Sequence, residues 1–93
     1  MKKVFEFSTR NLESDPFTVK GGRYMIAVKD IGSGAVTLHV DVEGDWITHD
    51  AFSENGAWGM FLSGYHEYRL VGPDGCTAVV SRIDDRAYSD TTL

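Results

Sequence analysis

Ala35-Val36-Thr37-Leu38-His39-Val40-Asp41-Val42 decides the fold: Val36, Leu38, Val40 and Val42 alternate without a break with Thr37, His39 and Asp41. A period of two puts the aliphatic residues on one face of an extended chain and the polar ones on the other. That is the pattern of a strand lying between a core and solvent. The three valines, stiff at χ1, favour the same conformation.

The pattern extends in both directions. Arg23 to Lys29 places Tyr24, Ile26 and Val28 on one face, and Ile31-Gly32-Ser33-Gly34 between the two runs predicts a hairpin that pairs them antiparallel. Further back, Val4 to Ser8 puts Phe5 and Phe7 on one face, Thr9 to Pro16 reads as a polar loop, and Phe17 to Val19 as a short edge strand. Forward, Asp41-Val42-Glu43-Gly44-Asp45 leads into Trp46 to Ser53. Asn55-Gly56, suited to a type I′ turn, separates that run from Ala57 to Leu62. Ser63-Gly64 precedes Tyr65 to Val71, and Gly72-Pro73-Asp74-Gly75 predicts a tight hairpin onto Cys76 to Ile83. Helical periodicity is missing, which excludes a parallel βαβ architecture. The expected fold is all-β: a single small antiparallel β-sandwich, or jelly-roll-like barrel, of about seven or eight strands. Residues 1–83 make the sandwich, and the polar residues 84–93 read as a C-terminal arm able to reach an adjacent subunit.

Composition narrows the function. With 93 residues there is room for one core, and 42% hydrophobic against 25% charged residues is the balance of a folded chain. A formal charge of −5 with scattered Lys and Arg argues against nucleic acid as a partner. The lone Cys76 cannot form an internal disulfide, so synthesis in a reducing cytosol is expected. Met1-Lys2-Lys3-Val4-Phe5 meets Glu6 too soon for an export signal, and no apolar run is long enough for a membrane helix, so no membrane partner is expected.

Residues that can carry chemistry have plainer readings beside them. Asp41, Glu43, Asp45, His49 and Asp50 gather carboxylates of the kind that hold calcium, yet their spacing is not that of a calcium loop, and a solvated face and turn account for them. Cys76 with His66, or Ser53 with His49 and Asp50, contain the residue types of a nucleophile and its base, without a nucleophile-elbow or papain-like context. The three histidines have no HxH or HxxxH spacing. These readings point away from an enzyme, a metal and a cofactor. The aromatics are the remaining signal. Trp58, Trp46 and Tyr65, together with Tyr88 and Leu93 of the arm, are the candidate interface or ligand residues, with Trp58, between Gly56 and Gly59, expected to stand most in the open.

Gly22-Arg23-Tyr24, Val36-Thr37-Leu38-His39-Val40, Gly44-Asp45-Trp46 and Leu62-Ser63-Gly64-Tyr65-His66-Glu67-Tyr68-Arg69-Leu70 follow one another in an order that resembles small β-sandwich virion proteins of tailed bacteriophages. Decoration and fibre-attachment proteins are of this kind. The resemblance implies a non-enzymatic structural or accessory role in the virion, made in the host cytoplasm. Its partners would be other virion proteins or copies of itself in a homo-oligomer, such as a trimer. A carbohydrate-binding β-sandwich module, with a glycan as partner, is the alternative that the same fold and aromatics allow.

Overall fold

The structure, a computed structural model, describes residues 2–83; the expected arm, with Tyr88 and Leu93, lies outside the described residues. Eight strands form in chain order: β1 (Lys2–Glu6), β2 (Phe17–Thr18), β3 (Gly22–Lys29), β4 (Val36–Val42), β5 (Asp45–Phe52), β6 (Gly56–Leu62), β7 (Glu67–Val71) and β8 (Thr77–Arg82). They make two four-stranded sheets, ordered β1-β8-β3-β6 and β2-β7-β4-β5, in which every neighbouring pair is antiparallel. The fold is all-β, two antiparallel sheets packed as a small sandwich. Its strand order is that of an eight-stranded jelly roll.

The core follows from the alternation. Tyr24, Ile26 and Val28 of β3, with Ala78 and Val80 of β8, face Val36 and Leu38 of β4 and Tyr68 and Leu70 of β7, all of them buried. Phe7, Phe17 and Phe52 close its margins, and the Tyr68 hydroxyl donates to the Ser63 carbonyl at 3.0 Å, so this large aromatic is buried with its polar end satisfied.

Strand positions match the sequence reading, but the pairing does not. β3 and β4 lie in different sheets, so Ile31 to Gly34 is a crossover between sheets and the predicted hairpin does not form. Asn55-Gly56, between β5 and β6, and Gly72 to Gly75, between β7 and β8, are crossovers as well. Their gathering at one end explains why a turn that leads away from the sheet is stable. The Asn55 side-chain oxygen accepts the Ile31 N–H at 3.0 Å, and a Cβ on Gly34 would sit 2.7 Å from Pro73 Cβ, so only glycine lets the two loops touch. Among the described connections only β4 to β5 stays within one sheet, through Glu43-Gly44 with φ of 52° and 90°, both left-handed as a type I′ turn demands.

Thr9 to Pro16 is not a free loop either. The Ser14 amide donates to the Leu70 carbonyl at 2.7 Å, the Ser14 hydroxyl accepts the Leu70 amide at 2.8 Å, and the Gly72 amide donates to the Leu12 carbonyl at 3.0 Å. The segment continues the line of β2 along β7 and shields the edge of the second sheet.

Candidate functional site

A bulge decides what the second sheet presents. Along β5, Phe52 pairs with Val36 and Asp50 with Leu38, but the next pair is Thr48 with His39, leaving His49 as an extra residue. One extra residue inverts the alternation. Phe52 therefore faces the core, whereas Trp46, an even number of positions away, pairs with Asp41 on the outer face.

There Trp46 meets Arg69 of β7, whose guanidinium carbon lies 4.6 Å from the centre of the indole ring. Arg69 Nε–H donates to His39 Nδ1 at 3.1 Å, and one terminal nitrogen lies 3.4 Å from a Glu13 carboxylate oxygen. Burial, and then the positive charge of Arg69, hold the His39 imidazole below its ordinary value, with Glu13 pulling the other way. His39 is accordingly neutral at pH 7. Because its Nδ1 accepts from Arg69, the ring proton is assigned to Nε2. Arg69, Trp46 and residues 9–16 line an open cleft of about 580 Å³. Such a cleft can offer an aromatic edge, a guanidinium and carboxylates to a polar ligand.

The outer face of the first sheet has the opposite character. Val4 pairs with Val79, Val79 with Ala27, and Ala27 with Ala57, so one row across all four strands is apolar. Met25, Ile83 and Phe61 extend it, with Phe61 65% and Val4 52% exposed. An antiparallel sheet with one face in water ordinarily shows polar residues there, and apolar patches of this kind mark contact surfaces.

The sequence candidates are scattered. Trp58, expected in the open, is half-buried instead, its ring 4.7 Å from that of Phe52 and leaning over Gly56, where it closes the gap between β5 and β6. Trp46 lines the Arg69 cleft, while Tyr65 is fully exposed in the crossover from β6 to β7 and lines a separate cleft with Thr18, Val19 and Lys20. Its φ of 66° is left-handed, a conformation costing a non-glycine residue about 1–2 kcal/mol. Sequence reasoning passed over Arg69, Glu13 and the Val4 to Phe61 surface. A signal for the surface was present, since Met25-Ile26-Ala27-Val28 and Gly56 to Leu62 are apolar at every position and so cannot have a polar face.

The arrangements considered for catalysis do not come together. His66 immediately precedes β7, whereas Cys76 lies beyond its far end, just before β8 of the other sheet, and no hydrogen bond among the described residues joins them. Cys76 is buried, and burial, aided by the charge of Asp30, pushes its thiol up, away from the reactive thiolate. His49 Nδ1 does lie 2.7 Å from Asp50 Oδ2, but no hydrogen bond among the described residues joins Ser53 to His49. Among the described residues no three His, Cys, Asp or Glu side chains converge as a metal site. Asp41 braces the type I′ turn instead, its Oδ1 accepting the Gly44 amide at 2.9 Å.

Comparison with protein-family models, curated proteins and solved structures gives no match for this chain.

Proposed function

We propose that this chain is a non-enzymatic structural or accessory component of a tailed-bacteriophage virion, in capsid decoration or in fibre or tail attachment. It is made in the host cytoplasm and carried on the particle, and it acts through protein–protein contacts. One observation carries the reading: the outer face of the first sheet is apolar from Val4 through Val79 and Ala27 to Ala57, with Met25 and Phe61 beside that row. A chain of this size exposes such a face at a cost in solubility unless a partner covers it. Jelly rolls serve in viral capsids and in lectins alike, so the strand order supports the class by analogy only.

The test is to purify particles made from the genome that encodes the chain and to identify the chain on them by mass spectrometry. Val4→Lys and Met25→Lys, both on the outer face, should lower its occupancy while leaving the circular dichroism of the free protein unchanged. Absence of the chain from the particles refutes the virion reading.

The Arg69 cleft favours a second reading, a glycan-binding module, because indole, guanidinium and carboxylates are the groups that hold sugars. Arg69 already covers one face of Trp46, which leaves less ring for a sugar to stack on. A glycan array decides: binding that Trp46→Ala abolishes upholds this reading, and no binding by the wild type ends it.

A further inference from the structure

Sheet edges are sites of pairing unless they are blunted by charge, proline, a bulge or brevity. Three of the four described edge strands are blunted. β1 carries Lys2, Lys3 and Glu6, β2 is two residues long, and β5 carries Asp45 and Asp50 and the bulge at His49. β6 has none of these devices. Gly56-Ala57-Trp58-Gly59-Met60-Phe61-Leu62 contains no charge and no proline, and it runs against β3 from Gly22↔Leu62 to Val28↔Gly56 without a shift of register. No described strand lies on its other side.

We infer that β6 pairs antiparallel with β6 of a second copy of this chain, in the register centred on Gly59. In a two-fold antiparallel pair, residues whose numbers sum to a constant face each other. Centring on Gly59 uses all seven residues and, on the outer face, sets large against small. Phe61 on the outer face lies opposite the partner subunit's Ala57, Trp58 opposite the partner subunit's Met60, and Gly59 opposite its own copy on the axis. Charge selects the same place. Two chains of formal charge −5 repel, and β6 lets them approach through about 24 Å of main chain without bringing carboxylates together. The product is one continuous sheet, β1-β8-β3-β6-β6-β3-β8-β1, whose outer face doubles the apolar row proposed above as the contact surface. The inference deepens the assembly reading by naming a partner, and rests on it for its purpose but not for its geometry.

Gly59 allows a direct test, because a Cβ there would meet only Ile83 Cδ1 and the Tyr24 carbonyl, both at 4.0 Å, so longer side chains fit the monomer. Sedimentation equilibrium of the full chain should show a dimer. Gly59→Lys and Gly59→Asp, which set like charges directly opposite each other, should each raise its dissociation constant roughly fivefold or more. An equimolar mixture of the two variants should recover the wild-type value. Hydrogen exchange on the wild type supplies an independent readout, with slower exchange in 56–62 at high than at low concentration. If either variant fails to fold, that readout decides.

A monomer at the highest soluble concentration overturns the inference, as does a dimer indifferent to both charges. Protection of 56–62 that is equal at all concentrations also overturns it, assigning the edge to residues 84–93 of the same chain. A monomer that is nevertheless found on particles overturns this inference alone. A Gly59-dependent dimer absent from particles upholds it and refutes the virion reading.

Discussion

Leu38→Ala probes the packing that everything else rests on. Leu38 is fully buried at the middle of β4, opposite Leu70 of β7 on one side and Asp50 of β5 on the other, so hydrogen-bonded strands on both sides oppose collapse into the space it leaves. Removing three carbons loses about 2.4 kcal/mol of transfer free energy at roughly 0.8 kcal/mol each. The residual cavity brings the expected loss to about 3–4 kcal/mol. For a domain of this size that is a fall in Tm of about 12–30 °C. Urea titration followed by tryptophan fluorescence measures it, with an unchanged m-value showing that the unfolded reference is the same. Thr37→Ala, one residue away on the outer face, should change stability by no more than about 0.5 kcal/mol. A Leu38→Ala loss below about 1 kcal/mol, or an equal loss at Thr37, refutes the assignment of faces on which the core and both surfaces depend.

Other consequences can be checked separately. Ala27 and Ala57 are directly paired on β3 and β6, so the double cysteine variant, made with Cys76→Ala, should close a disulfide under mild oxidation; failure to form it speaks for the hairpin between β3 and β4 that the structure replaces. The His39 pKa, followed by NMR, should lie below 6.5, rise towards it in Arg69→Ala without reaching it because burial remains, and fall further in Glu13→Gln. Since the folded value is depressed, the stability it contributes is present above pH 6.5 and is lost as pH falls through the folded value; a gain in stability on acidification over that window contradicts the assignment. Tyr65→Gly relieves a left-handed φ but frees the unfolded chain, so stability should change by less than about 1 kcal/mol; a larger loss means that Tyr65 is held by contacts of its own chain.

The strands were legible because alternation is local, whereas pairing depends on where a turn sends the chain. Ile31 to Gly34 and Gly72 to Gly75 have the residues of tight turns, but glycine and proline signal only that the chain changes direction. Whether the next strand lies about 4.8 Å away in the same sheet or about 10 Å away in the facing one is set by which apolar face must be covered. The real hairpin, at Glu43-Gly44, lacks the usual asparagine or aspartate before its glycine, and its signature is the pair of positive φ values. The bulge at His49 was equally hidden, and with it the turning of Trp46 away from the core. Arg69, His39 and Glu13 sit on separate segments, 30 and 56 positions apart, and meet only once β7 lies between β4 and the 9–16 segment. The apolar outer face was the more readable surface, since the uncharged run from Gly56 to Leu62 is plain in the sequence.

The most direct test of the assembly claim compares oxidative labelling of the chain free and on purified particles. Met25, on the apolar face, and Trp46, beside the Arg69 cleft, are both accessible and both oxidisable, so each reports on one surface. Strong protection of Met25 on the particle, with Trp46 labelled as in the free chain, is the predicted result. Protection of Trp46 with Met25 unchanged would contradict it and place the contact at the polar cleft.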